Sequence, residues 1–340
     1  MDQLTVSASP EPVATQSTWR TVFIGSDGLR AGWSVLLFFA ICAAEVTALN
    51  LVLKYIVHFH SPKTSTLGWL PGLIQEAAML ALLAVPVWIM SKIEGKPILS
   101  YGYRGSARLK RFGYGLLWGF AAISSLVLAL WKLGFLAFEG DVLRGLPAFE
   151  YAAAWGVVFL FVGVFEESFL RGYLQSTLGR GMGFWWAALI LSIAFGLSHG
   201  SNPGESPVGL FTAGAVGLVF CLSLWYTGSL WWAIGFHASW DWGESYFYGT
   251  ADSGLIAKGH LLSEHSVGDL YWSGGATGPE GSIVAVFLLV IITAAMFLWW
   301  GNRTVSPFAG NGWRPLRAAQ PALAEPVESL PTFSAQQSTL

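Results

Sequence analysis

The sequence predicts an all-α, polytopic integral membrane protein with one domain of about eight transmembrane helices. Of its 340 residues, 54% are hydrophobic and only 11% are charged, whereas about 25% of the residues in a soluble domain are charged. Apolar stretches of about 20 residues, the length that spans a bilayer, recur along the chain. Tryptophans lie near the ends of many of these stretches, as is typical of membrane interfaces: Trp69, Trp185, Trp186, Trp231, Trp232, Trp299 and Trp300.

Eight apolar stretches are predicted to be membrane-spanning helices. In chain order they cover residues 33–57, 69–91, 111–136, 149–175, 184–201, 207–227, 229–248 and 282–301. The polar stretch 1–30 and the proline-rich stretch 303–340 have the composition of disordered segments. The sequence therefore predicts a single transmembrane domain at residues 31–302.

The distribution of Lys and Arg predicts the orientation, because cytoplasmic loops of membrane proteins carry an excess of positive charge. The connection between the second and third predicted helices is the most basic, with Lys92, Lys96, Arg104, Arg108, Lys110 and Arg111. Placing this connection in the cytoplasm puts both termini there as well, because the predicted number of helices is even.

Charge and cysteine content exclude two classes of protein. The formal net charge is -2, and there is no basic domain that could neutralise phosphates, so nucleic acid is not a partner. Cys42 and Cys221 lie alone in apolar runs and form neither a disulfide framework nor a paired-cysteine metal site. The lipid bilayer is the partner that the composition indicates.

The predicted helix 149–175 contains two adjacent carboxylates, Glu166 and Glu167. A charge at the bilayer centre costs about 2.5–3.5 kcal/mol on insertion scales, so an ionisable residue there is a functional candidate. On a helix, Glu167 lies one turn before Arg171 and can pair with it, whereas Glu166 is rotated by about 100°. The Glu167–Arg171 pair suits a structural ion pair as well as a catalytic role, and Glu166 is free to face a reactant.

Two histidines in later apolar stretches, His199 and His237, are candidate partners for the glutamates. Asp241 follows His237 by one helical turn and could orient its imidazole. A glutamate in an apolar pocket binds a proton more tightly than in water and becomes a base for activating water. Two histidines and a carboxylate can bind zinc with a position open for water, or the histidines can hold the water without a metal. Both mechanisms stay open.

The predicted helices place two of these residues at different depths. Glu166 falls late in the inward-running fourth helix, and His199 falls late in the outward-running fifth helix. A fourth helix displaced toward the outer face, or a fifth that begins nearer Ala188, would bring them level. Because helix boundaries predicted from sequence are inaccurate by several residues, we expect the structure to remove this difference.

Three short motifs resemble those of the CPBP intramembrane protease family, which includes eukaryotic CAAX prenyl proteases and bacterial Abi or bacteriocin-processing relatives. Residues 166–171 fit the EExxxR motif, residues 195–199 fit FxxxH, and residues 237–241 fit HxxxN/D. The glycine-rich stretch 274–282 is similar to the segment that leads into the last helix of many bacterial members. Each motif is weak alone, but three in the family's order are a strong indication.

The resemblance implies a role for each matched residue. Glu166 would activate the attacking water, Glu167 would assist it, and Arg171 would hold the glutamate pair. His199 and His237 would bind a metal or position the water. The implied metal is a divalent ion, zinc before others, with His199, His237 and Glu166 as candidate ligands, and a metal-free mechanism with the same residues stays open.

Asp241 stands where the eukaryotic enzymes usually have asparagine. The resemblance implies that this residue stabilises the oxyanion or orients a neighbour. An ionised aspartate cannot donate a hydrogen bond to an oxyanion, so Asp241 would have to be protonated or act through His237.

The predicted function is intramembrane cleavage of a membrane-associated or lipidated peptide, with an active site inside the helix bundle. The resemblance also admits CAAX-type endopeptidase activity and implies the inner membrane of a bacterium. One alternative is a non-catalytic membrane factor of the same fold, such as an immunity protein or a scaffold. Another is a proton-coupled transporter, because intramembrane Glu and His also build proton relays; the inverted repeats typical of transporters are not visible in the sequence.

Overall fold

The long apolar stretches fold as helices in a computed structural model of the chain, which describes residues 18–25, 28–57, 66–301, 303–304 and 306–308. The main helices are α1 Ala31–Val52, α2 Trp69–Ile93, α3 Arg108–Leu133, α4 Leu146–Met182, α5 Phe184–Ser198, α6 Pro207–Thr227, α7 Trp231–Asp241 and α8 Ile283–Trp300. The predicted all-α, polytopic class is confirmed. Residues 1–17 and 309–340 of the two predicted disordered ends lie outside the described residues.

Seven of these helices are long and apolar enough to cross a membrane in the described part of the chain, so the predicted count of eight is not confirmed. The exception is the predicted span 229–248. It is helical, as α7 followed by the π-helical stretch Trp242–Tyr248, but it carries acidic and histidine side chains and is buried along most of its length. A helix enclosed by other helices faces protein and not lipid, so its surface need not be uniformly apolar.

Local sequence explains where helices begin and end, as α6 shows. Ser206 precedes its first residue, Pro207, and the Ser206 hydroxyl accepts the backbone N–H of Gly209 at 3.0 Å. Serine is favoured before a helix because its hydroxyl accepts a backbone N–H of the first turn. Proline is favoured at the first position because it has no N–H that would lack a partner. The helix ends at Gly228, whose φ of +63° is a left-handed conformation that glycine adopts at low cost.

The buried helix α7 lies at the centre of the bundle. Its Trp232 and Phe236 belong to one core cluster with Ile123 of α3, Phe220 of α6 and Leu289 of α8. Because α3, α6 and α8 all pack against α7, the positions of the α7 side chains are also fixed.

Small residues allow α3 to approach α7 closely. A Cβ atom at Gly115 would lie 2.2 Å from the carbonyl oxygen of Trp232, and one at Gly119 would lie 2.2 Å from that of Phe236. The two glycines are four residues apart on one face of α3, the spacing that brings membrane helices into backbone contact. The spacing of these two glycines is visible in the sequence.

We expect Gly115→Ala and Gly119→Ala each to lower the free energy of unfolding by about 1–3 kcal/mol, since an added methyl group must push the helices apart. Gly113→Ala is the matched control on the same helix, because a Cβ atom there meets nothing within 4 Å. Thermal unfolding of the purified proteins in detergent measures the difference. Equal stability of the Gly115→Ala and Gly113→Ala proteins would contradict the close crossing.

Short strands and turns connect the helices on the side of the bundle where α3 ends and α4 begins. Strand Leu136–Asp141 pairs antiparallel with Leu262–Ser266, and Thr66–Leu67 pairs parallel with Ile256–Ala257. The remaining short helices are Ile98–Ser100, His199–Ser201, Leu270–Ser273 and Pro279–Gly281.

Part of the stretch 1–30, predicted to be disordered, has regular structure. Thr18–Phe23 is a short helix, and Ile24–Gly25 pairs with Gly28–Leu29. Hydrogen bonds to the start of α1 hold this segment, since Trp33 Nε1 donates to the carbonyl oxygen of Val22 at 3.1 Å. Such contacts with a neighbouring helix are not visible as a hydrophobic pattern in the sequence.

Candidate active site

The two adjacent glutamates lie near the middle of α4. The predicted fourth helix ended at residue 175, but α4 continues to Met182. The boundary error was therefore in α4, while α5 begins at Phe184 as predicted. His199 follows α5, which has 15 residues and is only about 22 Å long. Glu166 lies 16 residues before the end of α4 at Met182, about 24 Å along the helix from the same turn at Gly183, so His199 and Glu166 lie at a similar depth.

Glu167 belongs to a buried ion pair. Its Oε1 accepts Nη1 of Arg171 at 3.0 Å, and neither side chain is exposed to solvent. Arg171 lies in the π-helical stretch Ser168–Leu174, a widened turn that is frequent at functional sites. The predicted pairing of Glu167 with Arg171 is present, and its burial means that the pair positions its neighbours and is not open to solvent.

His237 lies between the glutamates of α4 and Asp241 of its own helix. Its Nδ1 lies 3.1 Å from Oε1 of Glu167, and its Nε2 lies 3.5 Å from Oε2 of Glu166 and 3.6 Å from Oδ2 of Asp241. An Nδ1–H bound to Glu167 fixes the tautomer and leaves Nε2 directed at the other two carboxylates. Together with the Glu167–Arg171 pair, the structure therefore places five of the six predicted site residues in one connected set.

His199 is held in a similar way at the end of α5. Its Nδ1 lies 2.8 Å from the carbonyl oxygen of Phe195, so Nε2 is the ring nitrogen that remains for a ligand. His199 lines the same cavity as His237 but is not bonded to it.

An aromatic frame surrounds these groups. The Arg171 guanidinium lies 4.6 Å from the ring centre of Phe195 and 5.5 Å from that of Phe220. The Phe195 ring contacts the His199 ring at 4.7 Å, and the Phe220 ring stacks on His237 at 5.4 Å. Phe195 thus connects the three predicted motifs. Phe220 was not predicted, because a phenylalanine within an apolar helix carries no distinguishing pattern.

A cavity of about 310 Å³ brings the candidate residues together. Its wall includes Glu166, His199, His237 and Asp241, with further polar groups from α2 and from the connections that follow α7: Gln75, Glu76, Asp252, Ser253 and Glu280. An apolar cavity with a few convergent polar groups is the usual form of an active site.

The three predicted metal ligands, Glu166, His199 and His237, do not present ligand atoms that all lie within 4.8 Å of one another. In the described part of the chain, the group that does consists of Glu244, Asp252 and Glu280. No motif in the sequence indicates this acidic group, because its three members are spread over the connection between α7 and α8.

Part of the chain matches a known protein family. Residues 148–243 match the family described as type II CAAX prenyl endopeptidase Rce1-like. The matched region contains Glu166, Glu167, Arg171, His199, His237 and Asp241. No curated protein matches the chain. The resemblance inferred from the three motifs is confirmed.

Proposed function

Because residues 148–243 match the Rce1-like type II CAAX prenyl endopeptidase family, we propose that this protein is an intramembrane endopeptidase. The observation that carries the proposal is the placement of His237 between Glu167 on one side and Glu166 with Asp241 on the other. Glu166, His237 and Asp241 line a cavity inside the helix bundle, where a peptide bond and a water molecule could meet away from bulk solvent.

In this proposal Glu166 is the general base. Its Oε2 faces His237 Nε2 without a hydrogen bond to any described group, so it can accept a proton from water. Attack of that water on the peptide carbonyl carbon forms a tetrahedral intermediate. Breaking of the C–N bond then releases a carboxylate and an amine, and the proton held by Glu166 passes to the amine.

Glu167 and Arg171 position this machinery. The Arg171 guanidinium compensates the buried charge of Glu167, and Glu167 accepts the Nδ1–H of His237. Nε2 of His237 is thereby held toward the reacting groups. Asp241, 3.6 Å from Nε2, acts in this proposal through His237, which avoids the need for an ionised aspartate to donate a hydrogen bond.

The two histidines have the arrangement that suits a metal ligand. In each ring Nδ1 is bonded to an oxygen of the protein, which leaves Nε2 for coordination, as in most metal-bound histidines. His199, His237 and the Glu166 carboxylate are the candidate zinc ligands, but they would have to move together to hold the ion, because their ligand atoms do not all lie within 4.8 Å of one another. When bound, it would polarise the peptide carbonyl and lower the pKa of water.

We propose the inner membrane of a bacterium as the location, with both termini in the cytoplasm. The basic connection between α2 and α3 marks the cytoplasmic side. Arg180, near the end of α4, contacts Glu94 of this connection at 2.8 Å, and the N–H of Leu230 donates to the carbonyl oxygen of Gly102 at 2.9 Å. The end of α4 and the start of α7 therefore lie on the same side. The substrate class that fits an active site at this depth is a membrane-associated or lipidated peptide.

The test is cleavage of a panel of lipidated and transmembrane reporter peptides by the purified protein in detergent. We expect cleavage by the wild type and its loss in His237→Ala and His199→Ala. His265→Ala is the control, since His265 lies on an exposed strand and pairs with Glu139. A chelator arm, followed by addition of zinc, tests the metal.

Cleavage that survives both histidine substitutions would place the activity elsewhere and contradict the proposal. A well-folded wild type that cleaves no reporter would favour the non-catalytic factor. Cleavage lost with chelator and restored by zinc would assign the metal, whereas cleavage insensitive to chelator would favour the metal-free mechanism.

A further inference from the structure

A second group of carboxylates lies beside the proposed active site. Glu244 is in the π-helical stretch that follows α7, Asp252 is in the connection after it, and Glu280 is in the short helix that precedes α8. One ligand oxygen from each lies within 4.8 Å of the other two. We refer to these three residues as the outer acidic site.

Two members of the outer acidic site are already held in place by the protein. Asp252 Oδ2 accepts the hydroxyl of Ser245 at 3.1 Å. Glu280 Oε1 accepts the backbone N–H of Ser253 at 2.7 Å and also its hydroxyl. These bonds fix the two carboxylates without neutralising them.

The third member, Glu244, has no such partner. It is fully buried, at 0% exposure, and neither of its carboxylate oxygens has a hydrogen bond to any described group. A buried carboxylate without a partner costs folding free energy unless something else binds it.

The glycine-rich stretch 274–282 is shaped around this group. Gly278 has a φ of +108°, and a Cβ atom there would lie 2.0 Å from the carbonyl oxygen of Ala251 and 3.4 Å from Oε1 of Glu244. The N–H of Gly254 donates to the carbonyl oxygen of Thr277 at 3.0 Å. The stretch therefore packs directly on the connection after α7 and carries Glu280 to the other two carboxylates.

Charge balance indicates what the outer acidic site binds. None of its three carboxylates forms an ion pair with Lys, Arg or His among the described residues. Carboxylates that converge at this distance repel one another when ionised. Hard divalent cations prefer clustered carboxylate oxygens as ligands, whereas the absence of histidine and cysteine argues against a zinc site.

We propose that Glu244, Asp252 and Glu280 bind a hard divalent cation of the Ca²⁺, Mg²⁺ or Mn²⁺ class, at a site separate from Glu166, His199 and His237. The bound cation joins the end of the α7 segment to the glycine-rich stretch before α8. Because Asp252 and Glu280 also line the cavity, the cation holds one wall of the proposed active site. The cation site follows from this geometry and does not depend on peptidase activity.

The experiment uses the full chain, purified in detergent, stripped with a chelator and then titrated with Ca²⁺, Mg²⁺ or Mn²⁺ alone. Thermal unfolding and the binding of Mn²⁺ followed by electron paramagnetic resonance are the readouts. We expect a saturable rise in melting temperature of about 5 °C for at least one cation, since a ligand that binds the folded state stabilises it. Glu244→Gln, Asp252→Asn and Glu280→Gln should each remove the rise.

Two controls separate this site from other acidic groups and from the proposed active site. Glu150→Gln removes an exposed carboxylate of α4, and His237→Ala removes a candidate zinc ligand; both proteins should keep the rise. Each amide variant is expected to be at least as stable as the stripped wild type, because it removes like-charge repulsion, so misfolding will not imitate lost binding. If Glu244→Gln does not fold, the two less buried variants, Asp252→Asn and Glu280→Gln, decide the question.

Absence of any rise up to about 10 mM cation, the weak end of protein calcium sites, would overturn the proposal. So would a rise that persists in all three amide variants. A rise lost in His237→Ala but kept in Glu244→Gln would assign the cation to the active site and not to the outer acidic site.

Discussion

Replacement of Glu166 by Gln is expected to lower the rate of peptide cleavage by about 10²–10⁴-fold, the contribution of a general base, while leaving the fold intact. The side chain of Glu166 is 26% exposed into the cavity, and its Oε2 has no hydrogen bond to any described group. An amide has the same shape as the carboxylate but cannot accept a proton from water. The loss should appear in kcat, because Glu166 acts on the water and not on the substrate.

Glu76→Gln is the matched control for this substitution. Glu76 of α2 lines the same cavity, and the substitution removes one negative charge from it, as Glu166→Gln does. We expect Glu76→Gln to retain most of the activity, because the ion-pair partners of His237 among the described residues are Glu166, Glu167 and Asp241, whereas Glu76 accepts a hydrogen bond from Gln75. An equal decrease in cleavage rate in the two variants would mean that the lost negative charge lowers the activity and that Glu166 has no specific role as a base.

Replacement of Arg171 by Met is expected to destabilise the protein by about 3–5 kcal/mol, the usual cost of removing one partner of a buried ion pair. The substitution leaves Glu167 charged and enclosed, with His237 as its remaining partner. It also removes the guanidinium that lies against Phe195 and Phe220. Thermal unfolding and the yield of folded protein in detergent measure the effect.

A double variant tests whether the buried charge is the cause. Glu167→Gln combined with Arg171→Met removes both charges, so it should recover a large part of the lost stability. Arg144→Met is the surface control, because Arg144 pairs with Asp141 in an exposed position where ion pairs contribute little. A double variant no more stable than Arg171→Met alone would show that the packing of Arg171, and not its charge, stabilises the bundle.

Sequence predictions that rest on interactions within one helix agree with the structure better than those that depend on contacts between distant segments. The Glu167–Arg171 pair was predicted because residues four apart on a helix are neighbours, whatever the rest of the chain does. The end of α4 was placed too early, because Gln175 to Met182 are more polar than a lipid-facing helix while still being helical. The segment 229–248 was predicted to be a membrane span from its apolar content alone, although its surroundings in the bundle are what allow its polar side chains.

Other site residues could not be predicted, because their roles depend on contacts between distant segments. Phe220 stacks on His237, yet it lies in no motif. The outer acidic site joins residues from three segments. The glycines of the stretch 274–282 indicated an unusual backbone conformation. Nothing in its sequence indicated that Glu280 lies close to Glu244.

The sequence by itself determined that this is a helical membrane protein, where its motifs lie and which chemical groups they offer. These properties are local, because they depend on apolar runs and on spacing within one helix. Only the tertiary structure decided that Nδ1 of His237 meets Glu167, that its Nε2 faces Glu166 and Asp241, and that a second group of carboxylates lies beside them. The physical reason is that such sites are formed where helices cross, and the close approach of α3 to α7 and the burial of α7 depend on all the helices packing together.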